Sequence, residues 1–268
     1  MSHSAESGTF GTSGTVTCQL RDGHVAVVTL NRPAARNAVN AEVAQALHAL
    51  VERTEADPEI WVVVLTGAGP DVFCAGADLK EVAAGRAESL FTDKGFAGFV
   101  YADRQKPWIA AVNGKALAGG FEIVLACDLV VASAEASFGL PEVSRGLLAA
   151  AGGAFRLPRA LPRNLAIELV VTADSLDAQR AASLGLVNRV VAQDQVLAEA
   201  LALAARIARN APVAVRESLQ VARRAHDLDE SELRALTSAC RDRVRASEDC
   251  REGPRAFIEK RPPRWTGR

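Results

Sequence analysis

The chain has 268 residues, of which 49% are hydrophobic, so it can form one large domain with a substantial core and is not disordered throughout. Its 31 lysines and arginines nearly balance its 32 aspartates and glutamates, and a formal charge of −1 gives no global field to attract nucleic acid or an anionic membrane. Any anionic ligand must therefore be held by a local arrangement of groups. No uninterrupted apolar run in the sequence is long enough to span a bilayer.

The residue patterns that mark metal, nucleotide and acyl-transfer sites are missing. The five cysteines form an odd, widely spaced set, which is typical of reduced thiols in a cytoplasmic protein, and the four histidines lack ligand spacing. The GAG segment at residues 67–69 lacks the third glycine of a dinucleotide-binding loop. The chain also has neither a GK[ST] phosphate loop nor a nucleophile-elbow serine. The sequence thus predicts no metal site and disfavours hydride transfer, nucleotide hydrolysis and serine-dependent acyl transfer.

The first predicted elements are a polar tail, a hairpin and a helix. Residues 1–14 are rich in glycine and serine, which is typical of a flexible tail. Residues 15–21 alternate apolar and polar, Asp22-Gly23 is a two-residue turn signal, and residues 24–30 predict a second, more apolar strand. Asn40 is the predicted N-cap of a helix whose apolar face consists of Val43, Leu47, Leu50, Val51 and Thr54.

Three segments follow with contrasting patterns. Residues 61–66 are a β-branched run between charged residues and glycines, which predicts a buried strand. Residues 67–81, rich in glycine and alanine, predict a loop that leads into a helix and lets backbone N–H groups approach a ligand closely. Residues 87–103 are compatible with a helix that carries Phe91, Phe96, Phe99 and Val100 on one side.

A strand, a glycine turn and a helix recur in the rest of the chain. The predicted elements are a strand at 107–112, a helix from Gly119 to Cys127, a strand at 129–132, helices from Gly152 and over 178–184, and a strand at 186–191. From residue 196 onward the pattern is wholly helical, with amphipathic runs at 196–209, 213–226, 231–245 and 248–260. Such helices serve oligomerisation or pack on their own core, and the sequence does not decide between these.

Two glutamates stand out within residues 112–142. Glu122 is flanked by Phe121 and Ile123, and Glu142 follows Pro141 in a segment of apolar and small residues. Glutamate is seldom buried without a partner, so each carboxylate either lies on an exposed helix face or is held inside the protein for chemistry.

Several separated motifs carry a family resemblance. They are LNRP at 30–33 with RNA at 36–38, FCAGADLKE at 73–81, the segment from VNG at 112–114 to CD at 127–128, FGLPE at 138–142, and EGPRAFIEKR at 252–261. In their order and spacing, which span nearly the whole chain from about residue 15, these motifs make the sequence resemble the enoyl-CoA hydratase/isomerase family, also called the crotonase superfamily.

The resemblance implies an α/β fold, a crotonase-like spiral of ββα units, with a C-terminal helical region that forms trimers and often dimers of trimers. Together with the predicted elements it gives a flexible tail at 1–14, a spiral core at 15–195 and a helical region at 196–268. The family binds acyl-CoA thioesters and stabilises an enolate. The implied partner is an acyl-CoA substrate whose coenzyme A belongs to the substrate, and no separate cofactor, nucleic acid or membrane is expected.

The same resemblance implies four catalytic positions. The backbone N–H groups of Ala77 and Gly119 correspond to the oxyanion-hole donors, and Gly119 lies at a predicted helix N-terminus, where the helix dipole favours negative charge. Glu122 and Glu142 match both catalytic glutamates of the hydratases. Glu142 is assigned as the proton donor to carbon and Glu122 as the group that activates water, and the apolar setting is expected to keep one of them protonated near neutrality.

Contacts with the CoA part of the substrate are implied at Arg36, Ala75, Asp78, Leu79, Lys80, Phe257 and Lys260. For the charged members of this set the alternative is an ordinary surface charge, and for Phe257 it is a core contact. The sequence departs from the family pattern at Ala118, where many hydratases have a third glycine, and at Ala149-Ala150, where a Pro-Gly pair is common. These departures weigh against a simple straight-chain acyl group.

The sequence leaves three functions open. The leading interpretation is a hydratase-type lyase that adds water to a 2-enoyl-CoA, because relatives with other reactions often replace one or both glutamates. The second is an isomerase or a dehydratase of a polar hydroxyacyl-CoA, and the third, of another class, is a non-catalytic acyl-CoA-binding or RNA-binding protein. The balanced charge disfavours RNA. The acyl group is undetermined, since Phe91, Phe96, Phe99 and Tyr101 either border its pocket or form a helix core.

Overall fold

Two sheets and a short ribbon organise the computed structural model, which describes residues 14–21 and 23–268. The strands of the six-stranded sheet are β1 (Val16–Arg21), β2 (Val25–Leu30), β3 (Val62–Gly67), β7 (Trp108–Val112), β9 (Leu129–Ser133) and β12 (Arg189–Val191). The four-stranded sheet contains β4 (Val72–Cys74), β8 (Lys115–Leu117), β10 (Ser137–Gly139) and β11 (Ser175–Asp177), and the ribbon consists of β5 (Phe91–Thr92) and β6 (Gly95–Phe96).

The larger sheet has the strand order β1-β2-β3-β7-β9-β12 and is parallel except for its first pair. β3 and β7 are buried along their whole lengths, which explains why their sequences are continuously apolar or β-branched. The strands predicted at 61–66, 107–112 and 129–132 are therefore confirmed. The predicted first hairpin is confirmed as well. Its predicted turn residue Asp22 lies outside the described residues, and so does the predicted tail at 1–14 apart from Gly14.

The four-stranded sheet, in the order β11-β10-β8-β4, was not predicted. Each of its strands has only three residues, too few for a periodic pattern to indicate a strand. β4 lies inside the stretch at 67–81 that the sequence predicts as a loop leading into a helix, and the helix of that prediction is present. Since β4 and β8 each end close to a loop that leads to a helix, this sheet aligns the two loops.

The helices are α1 (Ala41–Ala56), α2 (Leu79–Ala83), α3 (Gly119–Ala126), α4 (Gly153–Ala160), α5 (Arg163–Thr172), α6 (Ala178–Ser183), α7 (Val196–Ala208), α8 (Pro212–Arg224), α9 (Glu230–Ala246) and α10 (Asp249–Ile258). Asn40 caps α1 as predicted, because its side chain accepts a hydrogen bond from the Val43 N–H at 3.0 Å. The helices predicted from Gly119, from Gly152 and over 178–184 are present, whereas α5 was missed.

The helix predicted over residues 87–103 is wrong. A 3-10 turn at Ala87–Leu90 is followed by the β5–β6 ribbon and by further turns. Gly95, Ala97 and Gly98 have φ angles of 78°, 58° and 65°, which no right-handed helix contains. The aromatic residues have helical spacing although they lie in turns and a short ribbon, and these still place Phe96 and Phe99 in the core.

The larger sheet separates two hydrophobic clusters, and alternate residues of β3 enter each. Val63 and Leu65 pack in the larger cluster with α1 and the second sheet, whereas Val62 and Val64 face α7 on the opposite side. The helices α8, α9 and α10 have few buried residues, namely Pro212, Cys240, Asp249 and Ala256, and none of these four belongs to either cluster. These three helices therefore remain largely exposed in the single chain.

All five cysteines are free thiols, as the sequence predicts. Within the described ranges, none of the helices combines the length and the apolar character that crossing a bilayer requires.

Candidate active site

One cavity of about 780 Å³ brings together most of the residues that the resemblance implies. Its lining includes Arg36, Ala75, Ala77, Asp78, Leu79, Lys80, Gly119, Glu122 and Glu142. Phe257, near the end of α10, and Lys260, just after it, are exposed and do not line this cavity. Both predicted carboxylates and both predicted backbone donors thus share one cavity.

Glu122 lies in the first turn of α3 with only 3% of its surface exposed. Its Oε1 accepts a hydrogen bond from the backbone N–H of Gly153, at the start of α4, at 2.8 Å. Burial raises the pKa of Glu122 to about 7, although the bond from Gly153 acts in the opposite direction. Glu122 therefore does not lie on an exposed helix face, and its carboxyl group is not ionised as readily as that of an ordinary glutamate.

Glu142 lies in a 3-10 turn at Pro141–Arg145 and is 8% exposed. Burial raises its pKa as well, and its negative charge contributes to the raised pKa of Glu122. In the described part of the chain its Oε2 atom has no hydrogen-bond partner. Two buried carboxyl groups that repel each other in one cavity favour a state in which they hold one proton between them.

Ala77 and Gly119, whose backbone N–H groups are the predicted oxyanion donors, line the same cavity. Within the part of the chain that the structure describes, neither the Ala77 N–H nor the Gly119 N–H donates a hydrogen bond. Gly119 is the first residue of α3, so its N–H is one of those that a helix leaves unpaired and the helix dipole is positive there. Ala77 is held by a parallel bridge with Val39, whose carbonyl accepts the Asp78 N–H at 2.8 Å.

Gly76 is the point at which the two donor loops meet. Its φ is 89°, and a Cβ atom there would lie 2.9 Å from both the Gly119 nitrogen and the Ala118 Cβ. Only glycine tolerates this φ angle and this approach together. The absence of a side chain at Gly76 thus allows the loop that carries Ala77 to lie against the start of α3.

Asp78 has a structural partner that the sequence analysis did not assign. Its Oδ2 accepts a hydrogen bond from Arg32 Nη1 at 3.0 Å, and the same Arg32 nitrogen reaches the Ala38 carbonyl at 2.6 Å. The Oδ1 atom caps α2 by accepting the Lys80 N–H. Arg32 lines the cavity and lies in the first family motif, which was the available signal for it. Asp78 therefore fixes the Ala77 loop whether or not it also contacts CoA.

An apolar wall lies in the same cavity as the carboxylates. It includes Leu90, Phe91, Phe96, Leu147 and Leu148. The Phe91 and Phe96 rings meet edge to face, with 5.5 Å between their centroids. Of the four aromatic residues considered from the sequence, these two therefore border the cavity, whereas Phe99 is a core residue and Tyr101 lines a different cavity.

The sequence model of the enoyl-CoA hydratase/isomerase family matches residues 21–268, which include every motif named above. The chain belongs to the enoyl-CoA hydratase/isomerase family.

The relatives of this chain include named hydratases and dehydratases of acyl-CoA esters. A carnitinyl-CoA dehydratase of Proteus mirabilis is 41% identical over 92% of this chain and 96% of its own. A mevalonyl-coenzyme A hydratase of Aspergillus fumigatus is 41% identical over 90% of this chain and 91% of its own. The solved structure of an enoyl-CoA hydratase from Mycobacterium tuberculosis H37Rv, 41% identical, superposes with a TM-score of 0.91 over 96% of this chain and 100% of that one.

The expected crotonase fold is thus confirmed, and the chain is a hydratase-type lyase that acts on acyl-CoA thioesters. In this enoyl-CoA hydratase/isomerase family member, the cavity supplies the groups that such chemistry requires: hydrogen-bond donors for an oxyanion and two carboxyl groups that can move protons.

Ala118 is strained in this family member, with φ 51° and ψ −128° immediately before α3. Such a conformation costs an alanine roughly 1–3 kcal/mol. We expect Ala118→Gly to raise the free energy of unfolding by about 1 kcal/mol, because relief of strain outweighs the added entropy of the unfolded chain. Chemical denaturation measures this change. The control Ala84→Gly, at φ −82°, should instead lower stability. Equal destabilisation by both variants would contradict the prediction.

Proposed function

We propose that this enzyme adds water reversibly across the double bond of an α,β-unsaturated acyl-CoA whose acyl group carries a polar substituent. Ala77 and Gly119 are proposed as the oxyanion donors, and Glu122 and Glu142 as the proton-transferring pair. The observation that carries the proposal is that the unpaired N–H groups of the first two residues and the buried carboxyl groups of the other two line one cavity.

The proposed reaction begins with the thioester carbonyl oxygen between the two N–H groups. Water adds to the β-carbon while Glu122 accepts one of its protons, and the electron pair of the double bond moves toward the carbonyl oxygen as an enolate. The two N–H groups stabilise this developing charge without titrating, and a single such donor contributes roughly 3 kcal/mol. Glu142 then protonates the α-carbon. This sequence transfers only water and protons, so the proposal includes no cofactor besides the CoA of the substrate.

The raised pKa values support a pair of carboxyl groups that holds a single proton. Hydration requires one carboxylate to accept a proton and one carboxylic acid to donate one, so the pair must hold a single proton. Burial and mutual repulsion favour that state near neutrality. The sequence predicts one protonated member, and burial raises the pKa of both carboxyl groups. After each turnover the proton has moved from Glu142 to Glu122, and exchange through water restores the starting state.

The polar acyl group is proposed from the relatives together with the cavity. Carnitine and mevalonate, which appear in the names of two relatives, are both β-hydroxy acids with a second polar group. The cavity offers two kinds of surface to such an acyl group. Phe91 and Phe96 provide an aromatic surface, and Arg145 provides a charged hydrogen-bond donor. Dehydration of a polar β-hydroxyacyl-CoA is the reverse direction of the same reaction.

A substrate panel tests the proposed function. Carnitinyl-CoA, mevalonyl-CoA and straight-chain β-hydroxyacyl-CoA esters would be compared by kcat/KM for dehydration, and the corresponding unsaturated esters for hydration. We expect at least one polar ester to exceed every straight-chain ester by about tenfold or more, since an unpaired polar contact in a specific pocket costs that much. A preference for straight-chain esters would contradict the proposed polar substituent on the acyl group. Double-bond migration without water addition would overturn the reaction itself.

The CoA moiety is proposed to extend along residues 33–38 into an adjoining cavity of about 570 Å³. This second cavity shares Ala34, Arg36, Ala75 and Leu117 with the first one. The shared lining supports CoA contacts at Arg36 and Ala75. Lys80, Leu79 and Asp78 border only the larger cavity, closer to the proposed thioester position.

We also propose that the chain assembles as a trimer or a dimer of trimers through residues 196–268, which follow the core at 15–195. The little-buried helices α8, α9 and α10 support this, as do Phe257 and Ile258, which expose 86% and 78% of their surfaces. Since Phe257 and Lys260 do not line the cavity of their own chain, any contact they make with CoA is proposed to come from another copy. A cytoplasmic location is proposed from the five free thiols.

A further inference from the structure

The segment at residues 149–153 forms the wall beside Glu122. Ala150 and Ala151 line the active-site cavity, and Gly153 donates the hydrogen bond to the Glu122 carboxylate. The segment contains no regular secondary structure before α4 begins, so its position depends on contacts with neighbouring segments. Those contacts therefore fix the position of the Gly153 N–H that binds the Glu122 carboxylate.

Arg156, on α4, makes the main contacts of this kind. Its Nη1 donates to the Ala151 carbonyl at 3.2 Å, and its Nη2 donates to the Val100 carbonyl at 2.6 Å. The guanidinium carbon lies 5.3 Å from each of the ring centroids of Tyr101 and Phe155. The planar, five-donor guanidinium joins the segment at 149–153 to the segment that follows the β5–β6 ribbon, which a lysine could not do in the same geometry.

The backbone beneath Arg156 is adapted to this contact. Gly152 has φ 112°, and a Cβ atom there would lie 2.2 Å from Arg156 Nη1. The guanidinium therefore lies directly on the main chain one residue before the N–H that binds Glu122. Tyr101 adds a parallel contact, because its hydroxyl donates to the Ala150 carbonyl at 3.0 Å.

Arg156 does not line the active-site cavity. It lines a separate cavity of about 1090 Å³, bordered also by residues of α8. It therefore cannot touch a substrate held between Glu122 and Glu142, and any influence on the reaction must act through the protein. The charged groups that act on Glu122 are Glu142, which raises the pKa of Glu122, and Arg156, which lowers it.

We propose that Arg156 is a positioning residue for the reaction: it fixes the 149–153 segment so that the Gly153 N–H is directed at Glu122. The positive charge of Arg156 also favours the ionised form of that carboxylate. This inference rests on the role proposed for Glu122. It assigns two separable effects, one of geometry and one of charge, to a residue outside the active-site cavity.

Three variants separate these effects. Arg156→Met removes both the bridge and the charge, Arg156→Lys keeps the charge alone, and Arg159→Met is the matched control on the same helix. Arg159 pairs with Asp227 at 2.6 Å and borders the same outer cavity, yet it donates no hydrogen bond to the 149–153 segment. Each variant would be checked by thermal unfolding before kinetic comparison.

For Arg156→Met we expect kcat to fall by roughly 10- to 100-fold with KM changed less, because a small displacement of a catalytic group has an effect of that size. In the native enzyme, kcat/KM for hydration should decline as the pair loses its last proton above about pH 7. In Arg156→Met that decline should move upward by about 0.5 pH unit or more, since loss of a nearby positive charge raises a carboxyl pKa. Arg156→Lys should lower kcat without this shift, and Arg159→Met should do neither.

Native kcat and an unshifted pH profile in Arg156→Met would overturn the inference. If that variant does not fold, Arg156→Lys decides the geometric part, because full kcat there would show that no bridge is needed. Glu122→Gln distinguishes this result from failure of the proposed function. Full activity of Glu122→Gln removes the role of Glu122 itself, whereas an inactive Glu122→Gln with an unaffected Arg156→Met removes only the role of Arg156.

Discussion

Glu142→Gln should lower kcat for hydration by roughly 10²- to 10⁴-fold, the range that general acid–base catalysis contributes. The amide has nearly the shape of the acid but cannot donate a proton to the α-carbon. Binding should change little, because the pKa of Glu142 is raised and a neutral side chain suits its buried site. The measurements are kcat on an unsaturated acyl-CoA and the Kd of a saturated acyl-CoA.

The control for this variant is Glu88→Gln, an exposed glutamate outside the cavity lining, which should keep native kcat. Full activity of Glu142→Gln would eliminate Glu142 as the proton donor. Loss of kcat together with loss of acyl-CoA binding would point instead to collapse of the wall formed by the 3-10 turn.

Gly76→Ala should reduce kcat/KM by about 10²- to 10³-fold, the cost of losing one oxyanion donor. The added Cβ would meet the Gly119 nitrogen and the Ala118 Cβ at 2.9 Å each, so the two donor loops must separate. Both N–H groups remain in the variant, but they no longer converge on one oxygen atom. Steady-state kinetics on the best substrate of the panel gives this number.

Gly85→Ala is the matched control for Gly76→Ala. Its φ of 74° imposes a similar backbone penalty, but a Cβ there would have no atom within 4 Å. It should lower the unfolding midpoint and leave kcat/KM nearly unchanged. Equal losses of kcat/KM in the two variants would show that backbone strain, rather than the approach of the donor loops, is responsible.

Much of the fold was predictable because its main elements are long or strongly apolar. β3 and β7 are continuous apolar runs that can only be buried strands, and Asn40 marks the start of α1 by a local hydrogen bond. The four-stranded sheet was missed since three-residue strands contain no usable period. The turns at 87–103 imitated a helix because burial alone placed Phe96, Phe99 and Val100 at helical spacing.

The site was predictable where motifs carry the chemistry and not where tertiary contacts do. The family motifs predict Glu122, Glu142, Ala77 and Gly119 as catalytic residues, and all four line the cavity. No local pattern shows that Arg32 pairs with Asp78, 46 positions away, or that Arg156 reaches the Val100 carbonyl, 56 positions away. The positions of Phe257 and Lys260 relative to a cavity are equally non-local, because they depend on how copies of the chain assemble.

The proposed oxyanion donors are main-chain N–H groups, whereas the proposed proton-transferring groups are side chains. A point mutation at Ala77 or Gly119 changes a side chain but leaves an N–H in place unless proline is introduced, whereas a single base change can remove either carboxyl group. In evolutionary terms, the proposed stabilisation of the enolate is inherited with the fold, whereas the side chains proposed to determine how the enolate reacts can be replaced one at a time. This separation allows a descendant of this chain to acquire a different reaction without rebuilding the oxyanion site.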